Sequence, residues 1–222
     1  MRDFNLRFYN INTGEHPEFI IVGLGRNEAP FRDSRASIPY DFIDYLDSVS
    51  THGNGCKKFE HSAYCDKCMI DGVIFFLAKP NVFINNVGMS VHEILDYYSM
   101  HPSKLVVFYD DITCKPGECN VSYGEEELSH EGLLSVERYI KSNKFIRVGI
   151  GIGAPENEDE KRLYRLSPME KEDRKKIKMR YESFKKFLIL LTKYKTPDVI
   201  RVYMEDELEK RNRTVMQYDI DT

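Results

Sequence analysis

Apolar positions in this 222-residue chain follow two alternating rhythms, short unbroken runs and stripes at three- to four-residue spacing. Residues 18 to 25, EFIIVGLG, form an apolar run closed by two glycines, which predicts a buried strand ending in a loop. From Pro39 onward Phe42, Ile43, Leu46 and Val49 recur at helical spacing behind a proline suited to a first turn, so an amphipathic helix is predicted. GVIFFLA at 72 to 78 predicts a second buried strand, stopped by Lys79 and Pro80 because proline has no amide to donate to a ladder. The capping-box spacing of Ser90 and Glu93 predicts a helix running to about Tyr98. LVVFYDD at 105 to 111 predicts a third strand ending in two carboxylates, followed by a turn at Lys115-Pro116-Gly117.

Leu133, Val136 and Ile140 mark a further helix, and RVGIGIG at 147 to 153 a further strand. Residues 154 to 166 mix acids, bases and a proline and read as a linker across the surface. Ser167, Pro168 and Glu170 then fit the start of one long helix with the stripe Ile177, Tyr181, Phe184, Leu188 and Leu191, ended by Thr196-Pro197. Strands alternating with helices predict an α/β fold, a single compact domain over 18 to 195 whose mostly parallel sheet is covered on both faces. Residues 1 to 17 and 196 to 222 are more weakly patterned and are read as N-terminal and C-terminal extensions.

Composition narrows the class. With 41% hydrophobic residues, 14 Tyr and 13 Phe, the chain has the means to build a packed core, which excludes a disordered or low-complexity polymer. No apolar run approaches the roughly 18 to 20 residues needed to cross a bilayer, and the start MRDFNLRFYN lacks the apolar stretch of a secretory signal. A soluble cytoplasmic protein without a membrane partner is therefore expected. A mitochondrial address stays open, although Asp3 and Glu15 sit poorly in an acid-poor transit peptide. The net charge of -4 means that any nucleic-acid binding must come from a local basic patch. Five cysteines, an odd number, read as reduced thiols or metal ligands before disulfides.

Five segments appear in order: IIVGLG followed by Ser34-Arg35-Ala36-Ser37, KPNVFINNVG at 79 to 88, VVFYDDITCKPG at 106 to 117, SHEGLLSVERYI at 129 to 140, and RVGIGIGAP at 147 to 155. In these segments, across roughly residues 18 to 190, the chain resembles the bacterial-type peptidyl-tRNA hydrolase family. The resemblance implies a twisted mixed sheet flanked by helices, with a cleft for the 3′ end of a peptidyl-tRNA. In active members it implies a histidine, oriented by an aspartate, that draws a proton from water; the water attacks the ester joining peptide to ribose while asparagines hold the peptide and polarise the carbonyl. Such chemistry needs a base titrating near neutrality and donors aimed at the developing oxyanion.

Carried over by resemblance, Asn85, Asp110 and His130 occupy retained catalytic positions, and Arg147 and Arg35 are expected to hold substrate, Arg147 through the terminal phosphate. The departures are larger. The general-base histidine falls on Ala36, the two remaining asparagines on Arg26 and Glu131, and a loop tyrosine on Phe31. A basic residue falls near Ser122, and the glycine run after it becomes Gly124 followed by three glutamates, which would repel a phosphate. The expectation is a peptidyl-tRNA hydrolase-like protein whose catalysis is impaired. It would act as a binding or scaffold module with tRNA, the ribosome or another RNA-protein assembly, or a protein as partner. The rival is an active hydrolase with His130 as relocated base, Asp110 as its orienting acid and Asn85 on the substrate.

Plainer duties stand beside these. Asn85 and Asp110 also suit strand ends, His130 after Ser129 suits a helix cap, and Arg147 suits an ion pair with Asp110 or Glu131. Gly149, Gly151 and Gly153 alternate with apolar residues inside a strand, unlike a dinucleotide loop, and KEDRKKIKMR at 171 to 180 reads as a solvated helix face. Cys56, His61, Cys65 and Cys68 supply four zinc-ligand types within thirteen residues. The family that the chain resembles has a metal-free β-hairpin there, so free thiols and no cofactor are expected, with a structural zinc as the alternative. Cys114 and Cys119, flanking a turn, are expected to stay reduced.

Overall fold

The structure is a computed structural model that describes residues 16–26, 28–51, 58–124 and 128–206. Its first strand, β1 (Phe19–Gly23), is buried along its whole length and leads through a 3-10 turn at Arg35–Ser37 into α1 (Ile38–Ser48). A hairpin follows, β2 (Lys58–Glu60) and β3 (Ala63–Ile70), then β4 (Val73–Pro80) and α2 (Val87–Tyr97). Strands β5 (Leu105–Asp111) and β6 (Cys119–Tyr123) precede α3 (Glu131–Ile140) and β7 (Ile146–Gly151). The chain closes with α4 (Lys161–Leu166), α5 (Lys171–Lys178), α6 (Tyr181–Lys193) and helical residues 196–206.

Among the described residues the strands form one seven-stranded sheet in the order β2-β3-β4-β1-β5-β7-β6. The central four, β4, β1, β5 and β7, are parallel, and the antiparallel hairpin and β6 close the two edges. Because side chains alternate across a strand, each central strand feeds two cores. Phe19 and Ile21 pack with Phe42 and Leu46 of α1, Ile177 of α5 and Phe184 of α6, whereas Ile20 and Val22 pack with Val91 and Ile94 of α2 and Val136 of α3. Helices thus cover both faces, which is why the parallel strands are mostly apolar runs and not alternating. Val199 and Tyr203, from the helical residues 196–206, join the first of these cores.

Several sequence expectations change in the structure. The helix expected to start at Ser90 begins three residues earlier; Ser90 lies inside α2, where its hydroxyl donates to the His61 carbonyl at 2.5 Å, so the capping box does not form. The expected long helix from Ser167 is divided: Ser167 is the C-cap of α4, Pro168 bridges to Ser34, and Glu170 stands at the N-cap position of α5 without a side-chain capping bond. Met179 and Arg180 interrupt the rest but keep right-handed helical dihedrals, so the apolar stripe stays in phase from Ile177 to Leu191. The expected linker at 154 to 166 holds α4.

Two close approaches bring the later site together. The loop after β1 is pinned by an Arg26 amide to Ala36 carbonyl bond of 3.0 Å, and a Cβ on Gly25 would come within 2.6 Å of that same carbonyl oxygen. Helices α2 and α3 meet at Gly88, whose amide donates to Ser135 Oγ at 3.0 Å and where a Cβ would stand 2.1 Å from the Ser135 carbonyl oxygen. No helix among the described residues is long and apolar enough to cross a membrane.

Candidate active-site cleft

Strand β1 is followed by α1 on one face of the sheet and β4 by α2 on the other, so a crevice opens outside the carboxyl ends of the parallel strands. A cleft of about 1110 Å³ lies there. Gly25 and Arg26 enter it from the end of β1, Ala36 from the following turn, Phe83 and Asn85 from the end of β4, and Asp110 from β5. Ser129, His130, Glu131 and Arg138 come from the start and face of α3, and Lys161, Arg162 and Arg165 from α4.

His130 and Asp110 are both 3% exposed, and they touch: Nε2 of the ring is 3.2 Å from Asp110 Oδ1. The other ring nitrogen has a fixed role. His130 is the N-cap of α3, and its Nδ1 accepts the Gly132 amide at 3.1 Å. A backbone amide only donates, so Nδ1 carries the lone pair and the proton of the neutral ring sits on Nε2, facing the carboxylate. Both nitrogens are therefore engaged within the protein. Asp110 Oδ2 is 3.0 Å from Arg165 Nε, a charge contact and not a well-aligned hydrogen bond. Ala36 presents a methyl group to the same cleft.

Asn85 is anchored by its backbone, whose carbonyl accepts from Ser135 Oγ at 2.8 Å and from Arg138 Nη2 at 3.2 Å, while the residue lines the cleft. Phe83, beside it, is 76% exposed and offers a bare aromatic face. Arg26 pairs with Glu28 at 2.6 Å and lies over the Phe31 ring at 4.8 Å. Glu131 occupies the first turn of α3, where the helix dipole favours an acid.

The two arginines expected to hold substrate each make contacts within the protein. Arg147 is 1% exposed, donates to Ser122 Oγ at 3.1 Å and to the Gly124 carbonyl at 2.8 Å, and is not among the residues lining the cleft. The antiparallel β6 places Ser122 directly opposite it, and among the described residues its contacts run to β6 and Gly124, not to Asp110 or Glu131 as the sequence suggested. Arg35 stacks on Tyr164 at 4.0 Å and donates to Ser167 Oγ at 2.6 Å and the Pro168 carbonyl at 2.8 Å, which ties α4 to the turn carrying Ala36.

The sequence missed the basic wall supplied by α4. Lys161, Arg162 and Arg165 fall at helical spacing, but six residues are too few for a periodicity to stand out from a mixed-charge linker. With Arg26 and Arg138 they outnumber the lining acids Asp110, Glu131 and Glu137. The glutamates at 125 to 127, expected to repel a phosphate, lie outside the described residues.

For the zinc alternative, Cys56 lies outside the described residues. Cys65 and Cys68 are three apart in β3, an odd separation, so their thiols enter opposite cores and do not converge on one point. Among the described residues no group of three His, Cys, Asp or Glu side chains gathers as a metal site. Among the described residues, Cys65, Cys68, Cys114 and Cys119 are not joined in disulfides. Burial, followed by the charge of Glu60, pushes the Cys65 thiol up to about 11. In the folded protein at pH 8 its alkylation is expected to be about 10²-fold slower than in the unfolded chain, since the thiolate is the reactive form; peptide mass spectrometry over time checks this, and equal rates would contradict it.

A three-layer α/β protein with a mixed-charge cleft at the sheet's switch point is the class that fold and site define. The family model for peptidyl-tRNA hydrolase matches residues 20–211. The peptidyl-tRNA hydrolase of Alkaliphilus metalliredigens is 33% identical over 138 residues, 62% of this chain and 74% of that protein. The one from Agathobacter rectalis is 26% identical over 83% of this chain and 99% of its own length. The crystal structure of peptidyl-tRNA hydrolase from Acinetobacter baumannii superposes with a TM-score of 0.73 at 22% identity, covering 86% of this chain and 97% of that one, a likeness of fold. The chain belongs to the peptidyl-tRNA hydrolase family.

Proposed function

We propose that this protein keeps the family's cleft as a binding or scaffold module for tRNA, with ester hydrolysis impaired. The observation that carries the reading is the state of His130: its lone pair caps α3, its proton faces Asp110, and Ala36 offers no second imidazole. Freeing Nδ1 to accept a proton from water would cost the helix its cap, about 1 kcal/mol. Arg165 does not substitute, because a guanidinium stays protonated at any working pH.

Binding is supported separately. Five cations, the exposed Phe83 ring and the Asn85 amide suit a phosphate-bearing single-stranded end with a base to stack. This reading puts tRNA, free or within a ribosome-associated RNA-protein assembly, as the partner and the cytoplasm as the compartment. The rival, hydrolysis with His130 as base, has in its favour the 3.2 Å contact to Asp110, the orienting bond such a base needs.

The test is ester cleavage of an N-acetylated aminoacyl-tRNA by the wild-type protein and by His130→Ala. Impaired chemistry predicts little turnover and no difference between the two; brisk turnover abolished by His130→Ala establishes the rival. A titration of tRNA binding against salt completes it. If three or more of the cleft cations meet phosphates, log K falls with log salt at a slope of about -2 or steeper, and a flat line argues against tRNA as partner.

A further inference from the structure

Asp110 is a buried carboxylate with its two oxygens turned to different groups, Oδ1 to His130 and Oδ2 to Arg165. A buried charge without a counter-charge costs several kcal/mol, so the position demands a positive partner. Ala36, in the same cleft, provides none. Arg165 does, and it is held in place for the purpose: Arg35, the neighbour of Ala36 in sequence, stacks on Tyr164 and bonds Ser167 and Pro168, fastening both ends of the segment that carries Arg165.

We propose that Arg165 is a positioning residue that holds Asp110 as a structural anion, so that an imidazole introduced by Ala36→His into the same cleft finds that carboxylate already paired and is not oriented by it. The inference rests on the reading of impaired hydrolysis. Arginine meets the charge requirement of the buried aspartate but cannot accept a proton, so it conserves the electrostatics of the site while removing its chemistry. An imidazole introduced beside it meets a carboxylate already neutralised and a fixed positive charge nearby, both of which disfavour the imidazolium.

The experiment follows the introduced imidazole by NMR pH titration in three full-length variants: Ala36→His, Ala36→His with Arg165→Gln, and that pair with Asp110→Asn. The titration midpoint is expected to rise by about one pH unit from the first to the second, because the carboxylate becomes available as a partner, and to fall back in the third. Coincident midpoints in the first two overturn the proposal, as does a rise that survives Asp110→Asn. Arg165→Met, which keeps the apolar stem, serves the same comparison if the glutamine chain does not fold. The comparison is made between variants that share Ala36→His, so wild-type turnover, which would sink the reading of impaired hydrolysis, leaves this result separately readable.

Discussion

Wild-type protein is expected to cleave an N-acetylated aminoacyl-tRNA about 10²- to 10⁴-fold more slowly than an active hydrolase of its family under the same conditions. That range is what a positioned general base contributes, and at 1.36 kcal/mol per tenfold it is roughly 3 to 5.5 kcal/mol of lost transition-state stabilisation. Among the described residues lining the cleft, His130 is engaged by Gly132 and Asp110, Asp110 is paired on both oxygens, and Arg165 cannot deprotonate water. Single-turnover assays with enzyme in excess separate chemistry from binding. A rate within tenfold of an active relative would mean that one of these side chains leaves its partners during the reaction.

The second large effect concerns the core beneath the cleft. Phe42→Ala is expected to cost about 3 to 5 kcal/mol, which for a chain of this size lowers Tm by roughly 6 to 20 °C. Phe42 is fully buried in α1, and its ring lies 4.5 Å from that of Phe108 in β5, 5.2 Å from Tyr181 and 5.5 Å from Phe184 in α6. Removing it opens a cavity among aromatic neighbours that backbone contacts on three elements keep from collapsing. Phe59→Ala is the control: the same residue type, 55% exposed on the edge strand β2, where the loss should stay below about 1 kcal/mol. Urea melts with unchanged m-value and a lower midpoint for Phe42→Ala alone would match this account; equal losses for both variants would not.

Legibility in the sequence tracked how much an element buries on its own. Strands β1, β4, β5 and β7 announced themselves because both faces are covered and their runs are mostly apolar, with charges confined to Lys79, Asp110, Asp111 and Arg147, and α1 and α3 because a stripe repeats over ten or more residues. Strand β3 was implied only by resemblance, as part of a β-hairpin, and not by its own pattern, because its buried positions are Ala63, Cys65, Cys68 and Ile70 with Asp66 and Lys67 between, a spacing that also suggested a zinc alternative. The five-residue β6 and six-residue α4 were too short to show a period. Ser90 and Ser167 carried genuine capping chemistry in their spacing, yet a carbonyl of the β2-β3 turn claimed one and the end of α4 the other.

The linear sequence by itself determined the alternation of strands and helices, the family to which the chain is related, and the replacement of an imidazole by a methyl group at Ala36, since each of these resides in local pattern or residue identity. Only the tertiary structure decided what surrounds that methyl group. Arg165 reaches Asp110 across 55 positions of chain, His130 gives its lone pair to a helix end, and Arg147 is sealed beneath β6. Those outcomes depend on which groups the packed layers bring within about 3 Å of one another, and hydrogen bonds and ion pairs act only at that range.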